Sequence, residues 1–238
     1  MKTARYQVIT PFIIIGVLLL PFLLIPKDES LLIINGWHSP SKDLIFKNVT
    51  WLGEGFMIFC STILLLFKKT KWFFVFLIGL LVHILLIQIN KQFLFNHIYR
   101  PYIYMQSLNK IDLLHFVDGI KIRKAVSFPS GHTTGATFAA AFITLCINSK
   151  RLSWFLAIVA IMVGISRVYL AQHFFIDIYF GYLFGTFSSL IGYILYNKII
   201  IKAKWTESYP LALLPKKVKI GVLKHAFTRS LRSSFRLF

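Results

Sequence analysis

Residues 72–90 read WFFVFLIGLLVHILLIQIN, nineteen positions without an Asp, Glu, Lys or Arg. A helix needs about 20 mostly apolar residues to cross a bilayer core, so this run is predicted to span a membrane. Working outward, comparable runs occupy Val8 to Ile25, Trp51 to Phe67, Leu152 to Leu170 and Phe174 to Tyr196, with a weaker one from Thr133 to Ile147. The expected fold class is therefore all-α: a polytopic membrane protein built as a six-transmembrane-helix bundle. Pro11 and Pro21 are expected to kink the first span, which a bundle tolerates. That span follows Lys2 and Arg5 as a signal peptide would, but no small-x-small cleavage site comes after it, so it is expected to remain as an anchor.

Composition agrees. Of 238 residues, 57% are hydrophobic and 15% charged, and the mean hydropathy is +0.70. Such apolar content excludes intrinsic disorder, and two cysteines, Cys60 and Cys146, are too few for a disulfide scaffold. Both lie in apolar runs and are expected as buried free thiols. Against 8 acids stand 27 Lys and Arg, a net charge of +19, so the chain must face something anionic, either lipid or a phosphorylated substrate. Nucleic acid is a poor partner, because the aromatic residues sit in apolar runs rather than in a basic polar face.

Six spans put both termini on one side. With them go Lys68, Lys69, Lys71, Lys150, Arg151 and the ten basic residues after Tyr196, seventeen in all with Lys2 and Arg5, against ten on the other side. By the positive-inside rule the termini are expected in the cytoplasm. Residues 1–197 are expected to form the six-span domain and residues 198–238 a basic cytoplasmic tail, which either lies on the inner leaflet or is solvated.

Three clusters of ionisable residues fall at span ends, where such residues are functional candidates by default: Lys91 with Arg100-Pro101, Pro129-Ser130-Gly131-His132, and Ser166-Arg167 with His173 and Asp177. The predicted topology brings all three to the outer, periplasmic interface. Pro129-Ser130-Gly131 before an apolar run is a helix start with Ser130 or a neighbour as N-cap, and the free N–H groups of such a start suit a phosphate. His132 stands beside any anion bound there. His173 and Asp177 are four apart, one helical face, so the carboxylate can hold one ring nitrogen and leave the other free as a nucleophile or base. Arg100 and Arg167 offer forked donors for phosphate oxygens, and Lys91 a point charge.

The ordered blocks Arg100-Pro101, Pro129 to His132, and Ser-Arg-x5-His-x3-Asp at Ser166 to Asp177 resemble the type 2 phosphatidic acid phosphatases. These are membrane relatives of vanadium-dependent haloperoxidases and bacterial acid phosphatases. The resemblance runs from Lys91 to Gly185 and implies an enzyme, a hydrolase. His173 would attack phosphorus to form a phosphohistidine, Asp177 would orient its ring, and His132 would protonate the leaving oxygen and then activate water. Lys91, Arg100, Ser130, Gly131 and Arg167 would cradle the phosphate oxygens. It implies no metal and no other cofactor, and a lipid phosphate as partner: phosphatidic acid, phosphatidylglycerol phosphate, undecaprenyl pyrophosphate or lipid A. A bacterial inner membrane is the expected location.

One spacing departs from the family. Eight residues separate Lys91 from Arg100, where the family usually has six. On an unbroken helix a step of nine turns about 900° and sets the two side chains on opposite faces. The chain is therefore expected to leave helical geometry before Arg100, near Asn96-His97, with Pro101 pushing Arg100 into extended backbone.

Each residue also has a bland reading. Arg100 alone reads as a snorkelling arginine, Pro129 to Gly131 as an ordinary helix start, and His173 with Asp177 as an interhelical polar pair. As an ordered set on one face these readings require several coincidences. His83, Gln88 and Asn90 are expected as interhelical hydrogen-bond partners, Glu54 as a polar span-end residue, and Tyr102, Tyr104 and Trp37 as interfacial aromatics. His38, His97, His115 and His225 have no evident partner. Asp112, Asp118, Lys121, Arg123 and Lys124 on the outer connection either select a head group or are solvated. A non-catalytic lipid-phosphate binder or transporter is the alternative from another class, and a soluble sugar-phosphate phosphatase the alternative within this one.

Overall fold

A backbone polar group that leaves water must find its partner inside its own segment, and the apolar runs accordingly fold as helices. A computed structural model describes residues 5–199 together with Ser208; beyond Ile199 the basic tail, His225 included, otherwise lies outside the described residues. In chain order the helices are α1 (Arg5–Leu24), α2 (Lys27–Asn35), α3 (Pro40–Leu66), α4 (Lys71–Leu94), α5 (Pro101–Ser107), α6 (Gly131–Ile147), α7 (Lys150–Tyr169) and α8 (Phe175–Ile199). Among the described residues α1, α3, α4, α7 and α8 are long and apolar enough to cross a membrane, and α6 is a shorter apolar helix.

The weak signal of α6 has a physical cause. This helix is the centre of the bundle, in contact with α1, α3, α4, α7 and α8, and thirteen of its residues from Thr133 to Cys146 are buried. A helix surrounded by other helices needs small residues for close approach rather than leucines for lipid. At Gly185 of α8 a Cβ would stand 2.5 Å from Thr134 O and 2.7 Å from Phe138 N of α6. Four residues on, Ser189 Oγ donates to Phe138 O at 2.6 Å. On the outer helices Ile13, Val17, Phe59, Leu81 and Leu85 are exposed, a surface that requires lipid.

Pro11 and Pro21 mark changes of helix type in α1, which begins as 3₁₀ helix, becomes α-helical at Thr10 and returns to 3₁₀ at Leu20. At the opposite end of the bundle from His132, Arg5 Nη1 donates to Leu145 O (2.9 Å) and Cys146 O (3.2 Å), carbonyls that the end of α6 leaves unpaired. Cys60 and Cys146 are free, the first partly and the second fully buried.

Two expectations need correcting. α3 starts at Pro40, capped by Ser39, not at Trp51; Lys42, Asp43 and Lys47 in its first turns hide the helix from a hydropathy scan. Among the described residues none of His83, Gln88 and Asn90 bonds between helices. His83 packs on the Phe138 ring at 5.3 Å with its Nδ1 unpaired among the described residues, Asn90 Nδ2 donates to Leu86 O of its own helix, and Gln88 is exposed.

His115, without an evident partner in sequence, has two. Its Nε2 meets Asp43 Oδ2 at 2.9 Å and its ring stacks on His38 at 4.1 Å. Asp43 Oδ1 also accepts from the fully buried Tyr169 hydroxyl, and Asn35 Nδ2 donates to both His115 O and Tyr169 O. This network ties α2, α3 and the loop before α6 to the end of α7. Asp43→Ala removes the carboxylate that accepts from the buried Tyr169 hydroxyl and from His115, so a loss of about 1–3 kcal/mol is expected, read as a lowered thermal unfolding midpoint in detergent.

Candidate active site

The first turns of α6 and α8, the last turn of α7 and the far end of α4 meet at one end of the bundle, and the loop segments 95–100 and 119–130 close over them. α6 begins where Ser130, in extended backbone, accepts from Thr133 N–H at 3.5 Å and Thr133 Oγ1 at 2.9 Å. Ser130 is thus the N-cap, and the N–H groups of Gly131 and His132 precede the first intrahelical bond. A Cβ on Gly131 would meet nothing within 4 Å, so that residue faces open space. Ser130 N–H donates to Asp177 O at 3.1 Å, locking the starts of α6 and α8 together.

His173 is 1% exposed and stands just ahead of α8, which begins at Phe175. It does not share a helical face with Asp177, as the four-residue spacing suggested. Asp177 instead reaches back to cap its own helix: Oδ2 accepts from Phe174 N–H at 2.9 Å, from Ser127 Oγ at 2.5 Å, and meets His173 Nδ1 at 3.3 Å. On the other side of the ring, Arg100 Nη1 lies 3.1 Å from His173 Nε2. A guanidinium can only donate, so Nε2 carries the lone pair and Nδ1 the proton. Burial first, then the charges of Arg100, Arg167 and Lys91, hold His173 well below the usual histidine range, which leaves the ring neutral and its Nε2 unprotonated.

The arginines are pinned by neutral oxygens rather than carboxylates. Arg100, extended as expected and 5% exposed, donates from Nε to Ala125 O (2.9 Å) and from Nη1 to Gln172 O (2.8 Å). Burial, with Arg123 nearby, brings its guanidinium down to about 10 against the opposing pull of Asp177, so it stays charged at neutral pH. Arg167 donates from Nη1 to Thr50 Oγ1 at 2.8 Å and from Nη2 to Gln172 Oε1 at 3.4 Å, and its buried Nε has no partner among the described residues.

The spacing problem at Lys91 is solved earlier than Asn96. From Ile89 to Leu94 α4 widens into a π-helix, and the chain leaves helical geometry at Phe95. Lys91, partly buried, joins the cluster through its charge on His173 rather than by a hydrogen bond.

His132 lines a cleft of about 260 Å³ whose walls also carry Thr50, Glu54, Lys121, Arg123 and Arg167. Two of the five charged residues of the outer connection, Lys121 and Arg123, therefore face the site. Glu54 does more than end a span, since its Oε1 is 3.7 Å from His132 Nε2. Behind Asp177 opens a second, apolar groove of about 460 Å³ walled by Phe95, Ile98, Phe128, Phe180 and Phe184. All eight residues expected from the sequence thus stand at one end of the bundle. Thr50, Ser127 and Gln172 complete the arrangement without any signal in the sequence.

Comparison with known proteins places the chain in a family. Residues 72–201 match the family profile described as PAP2 superfamily. The undecaprenyl-diphosphatase BcrC of Bacillus subtilis is 36% identical over 73 residues, 27% of this chain and 37% of that protein. An undecaprenyl-diphosphatase of Sulfolobus acidocaldarius is 36% identical over 67 residues, 28% of this chain and 32% of that one. The matches thus span less than half the length of these curated relatives. Among solved structures, Aquifex aeolicus LpxE superposes with a TM-score of 0.59 at 24% identity, covering 70% of this chain and 93% of that one. A PAP2 type phosphatidylglycerolphosphate phosphatase from Bacillus subtilis gives 0.51 at 20% identity, covering 84% and 98%. The fold is shared with both, the family profile covers more than half of the sequence, and the chain belongs to the PAP2 superfamily of membrane phosphatases.

Proposed function

We propose that the protein removes the terminal phosphate of a lipid diphosphate, of the undecaprenyl pyrophosphate type, through a phosphohistidine on His173. The observation that carries this reading is the neutral His173 ring, Nδ1–H toward Asp177 and Nε2 lone pair toward the cationic cradle. An arriving phosphate takes over the Arg100 donor that holds Nε2. The lone pair then attacks phosphorus while the bond to the leaving oxygen breaks and His132 supplies that oxygen with a proton. Arg100, Arg167, Lys91, the capped start of α6 at Ser130 and the open face of Gly131 stabilise the charge on the equatorial oxygens. In the second step His132 takes a proton from water, the resulting hydroxide attacks phosphorus, the P–N bond breaks and inorganic phosphate leaves.

Two features favour a lipid diphosphate. The cleft beyond His132 adds Lys121 and Arg123 for a second phosphate, and the phenylalanine-lined groove behind Asp177 is suited to a hydrocarbon chain. The relatives named as undecaprenyl-diphosphatases lean the same way. In this reading α6 is the sixth span, both termini and the basic tail from Lys198 lie in the cytoplasm as the seventeen-to-ten division of basic residues requires, and the site opens on the outer face. The chemistry in this reading runs on the protein's own side chains and on the main-chain N–H groups at the start of α6.

The test is phosphate release by purified protein from undecaprenyl pyrophosphate, phosphatidic acid, phosphatidylglycerol phosphate and phosphorylated lipid A, each with and without EDTA. The diphosphate is expected to be turned over fastest, and EDTA to leave the rate unchanged. A preference for a monophosphate overturns the substrate assignment, and abolition by EDTA overturns the mechanism.

A further inference from the structure

α3 is broken where the chain reads Gly53-Glu54-Gly55. Residues Leu52–Phe56 form a π-helical turn, with Glu54 at φ −82°, ψ 28° and Gly55 at φ +96°. The two glycines serve different ends. At Gly53 a Cβ would stand 2.9 Å from His132 Cβ and 2.7 Å from Val163 Cγ1, so α3 can touch the first turn of α6 only without a side chain there. At Gly55 a Cβ would meet nothing within 4 Å, and glycine is required for its left-handed backbone alone. Together they turn the Glu54 carboxylate back onto His132.

His132 needs such a neighbour. Its Nε2 is buried without a hydrogen-bond partner among the described residues. Burial first, then Arg167 of α7, His173 ahead of α8, Arg123 of the outer loop and Arg100 before α5, disfavour the charged ring; Lys47 of α3 and Lys121 of the outer loop line the same cleft, and Asp177 of α8 is occupied with His173. Three guanidiniums oppose a proton on this imidazole, yet the proposed acid–base role requires one whenever substrate arrives. Glu54 Oε1, 3.7 Å away, is the carboxylate placed against them.

We propose that Glu54 is a positioning residue for the reaction: its carboxylate, brought to His132 by the Gly53 contact and the Gly55 turn, favours the proton-bearing form of His132 against burial and the charge of the phosphate cradle. The inference rests on the acid–base role given to His132 above. It distinguishes the free enzyme from the complex, because a bound phosphate supplies negative charge of its own. Glu54 should therefore matter most before substrate binds.

The experiment compares the full-length protein with Glu54→Gln, Glu54→Asp and His132→Ala across pH. Two substrates are used: phosphatidic acid, a lipid phosphate monoester whose alkoxide leaving group needs a proton more than the phosphate expelled from a diphosphate does, and p-nitrophenyl phosphate, whose leaving group does not. Glu54 is 53% exposed, and Glu54→Gln keeps its shape, so folding is not at stake. An exposed ion pair is weakened by solvent, and the expected movement is on the order of one pH unit. In Glu54→Gln the alkaline limb of kcat/KM for the lipid phosphate should move down by that amount. This is about tenfold in rate on the limb, where one pH unit is a factor of ten. The limb of kcat should move less, p-nitrophenyl phosphate should be nearly unaffected, and Glu54→Asp should restore most of the profile. An unmoved limb, or an equal loss on both substrates at every pH, overturns the proposal while an inactive His132→Ala leaves the acid–base reading standing. Full activity of His132→Ala overturns that reading itself.

Discussion

His173→Ala is expected to lower phosphate release on the order of 10⁴-fold or more, the usual scale for removal of a nucleophile, and to abolish the phosphoenzyme. The loss should be chemical rather than structural. Without the ring, Arg100 keeps its bonds to Ala125 O and Gln172 O, and Asp177 keeps Ser127 Oγ and Phe174 N–H. Neither charge is stranded, so the thermal unfolding midpoint should shift by only a few degrees, the scale of about 1–2 kcal/mol in a chain of this size. Alkaline denaturing quench of the wild type during turnover should trap a phosphate that is kept in base and lost on later acid treatment, as a phosphoramidate is, and His173→Ala should trap none. Phosphate release that survives the substitution would overturn covalent catalysis. Loss of activity with collapse of the unfolding midpoint would instead make His173 a structural residue.

What the sequence makes legible here is local. Apolar runs report lipid contact, and the three motif blocks report chemistry because each gathers its residues within a dozen positions of one another. They suffice to place Lys91, Arg100, Ser130, His132, Arg167, His173 and Asp177 at one end of a bundle. The break in α3 is not legible, and the one in α4 is legible only as a need to leave helical geometry before Arg100, because the place and form of each are settled by what the helices touch. Gly53 looks like any glycine until α3 lies against His132, and the nine-residue step from Lys91 to Arg100 makes sense only with a π-helical turn at Ile89–Leu94. Ser127, Thr50 and Gln172 are also out of reach, since a serine in a loop carries no periodicity and the groups it serves are far away in sequence. The His173–Asp177 pair is the instructive case. Spacing of four correctly predicts the contact for the wrong reason, because Asp177 meets the ring while capping the start of α8 rather than by sharing a helical face with it.

Gly185→Ala should be strongly destabilising for a change of one methyl group. Its Cβ would lie 2.5 Å from Thr134 O, 2.7 Å from Phe138 N and 2.8 Å from Thr137 Cβ. Two of the three neighbours are main-chain atoms of a helix buried on every side, so no rotamer change relieves the clash and α6 must move away from α8. Overpacking of this kind costs about 3 kcal/mol, the upper end of its usual range, which for a chain of this length lowers the unfolding midpoint by roughly 10 °C. Catalysis should fall as well. Gly185 lies two helical turns below Asp177, about 12 Å along α8, and Ser130 N–H at the start of α6 is bonded to Asp177 O. Separating the two helices therefore pulls the phosphate-binding end of α6 away from the Asp177–His173 pair. Gly131→Ala is the control, because its Cβ meets no protein atom within 4 Å and the unfolding midpoint should stay where it is. Equal midpoints for the two variants, measured by thermal unfolding in the same detergent, would show that α6 and α8 are not held at the distance that gives this site its geometry.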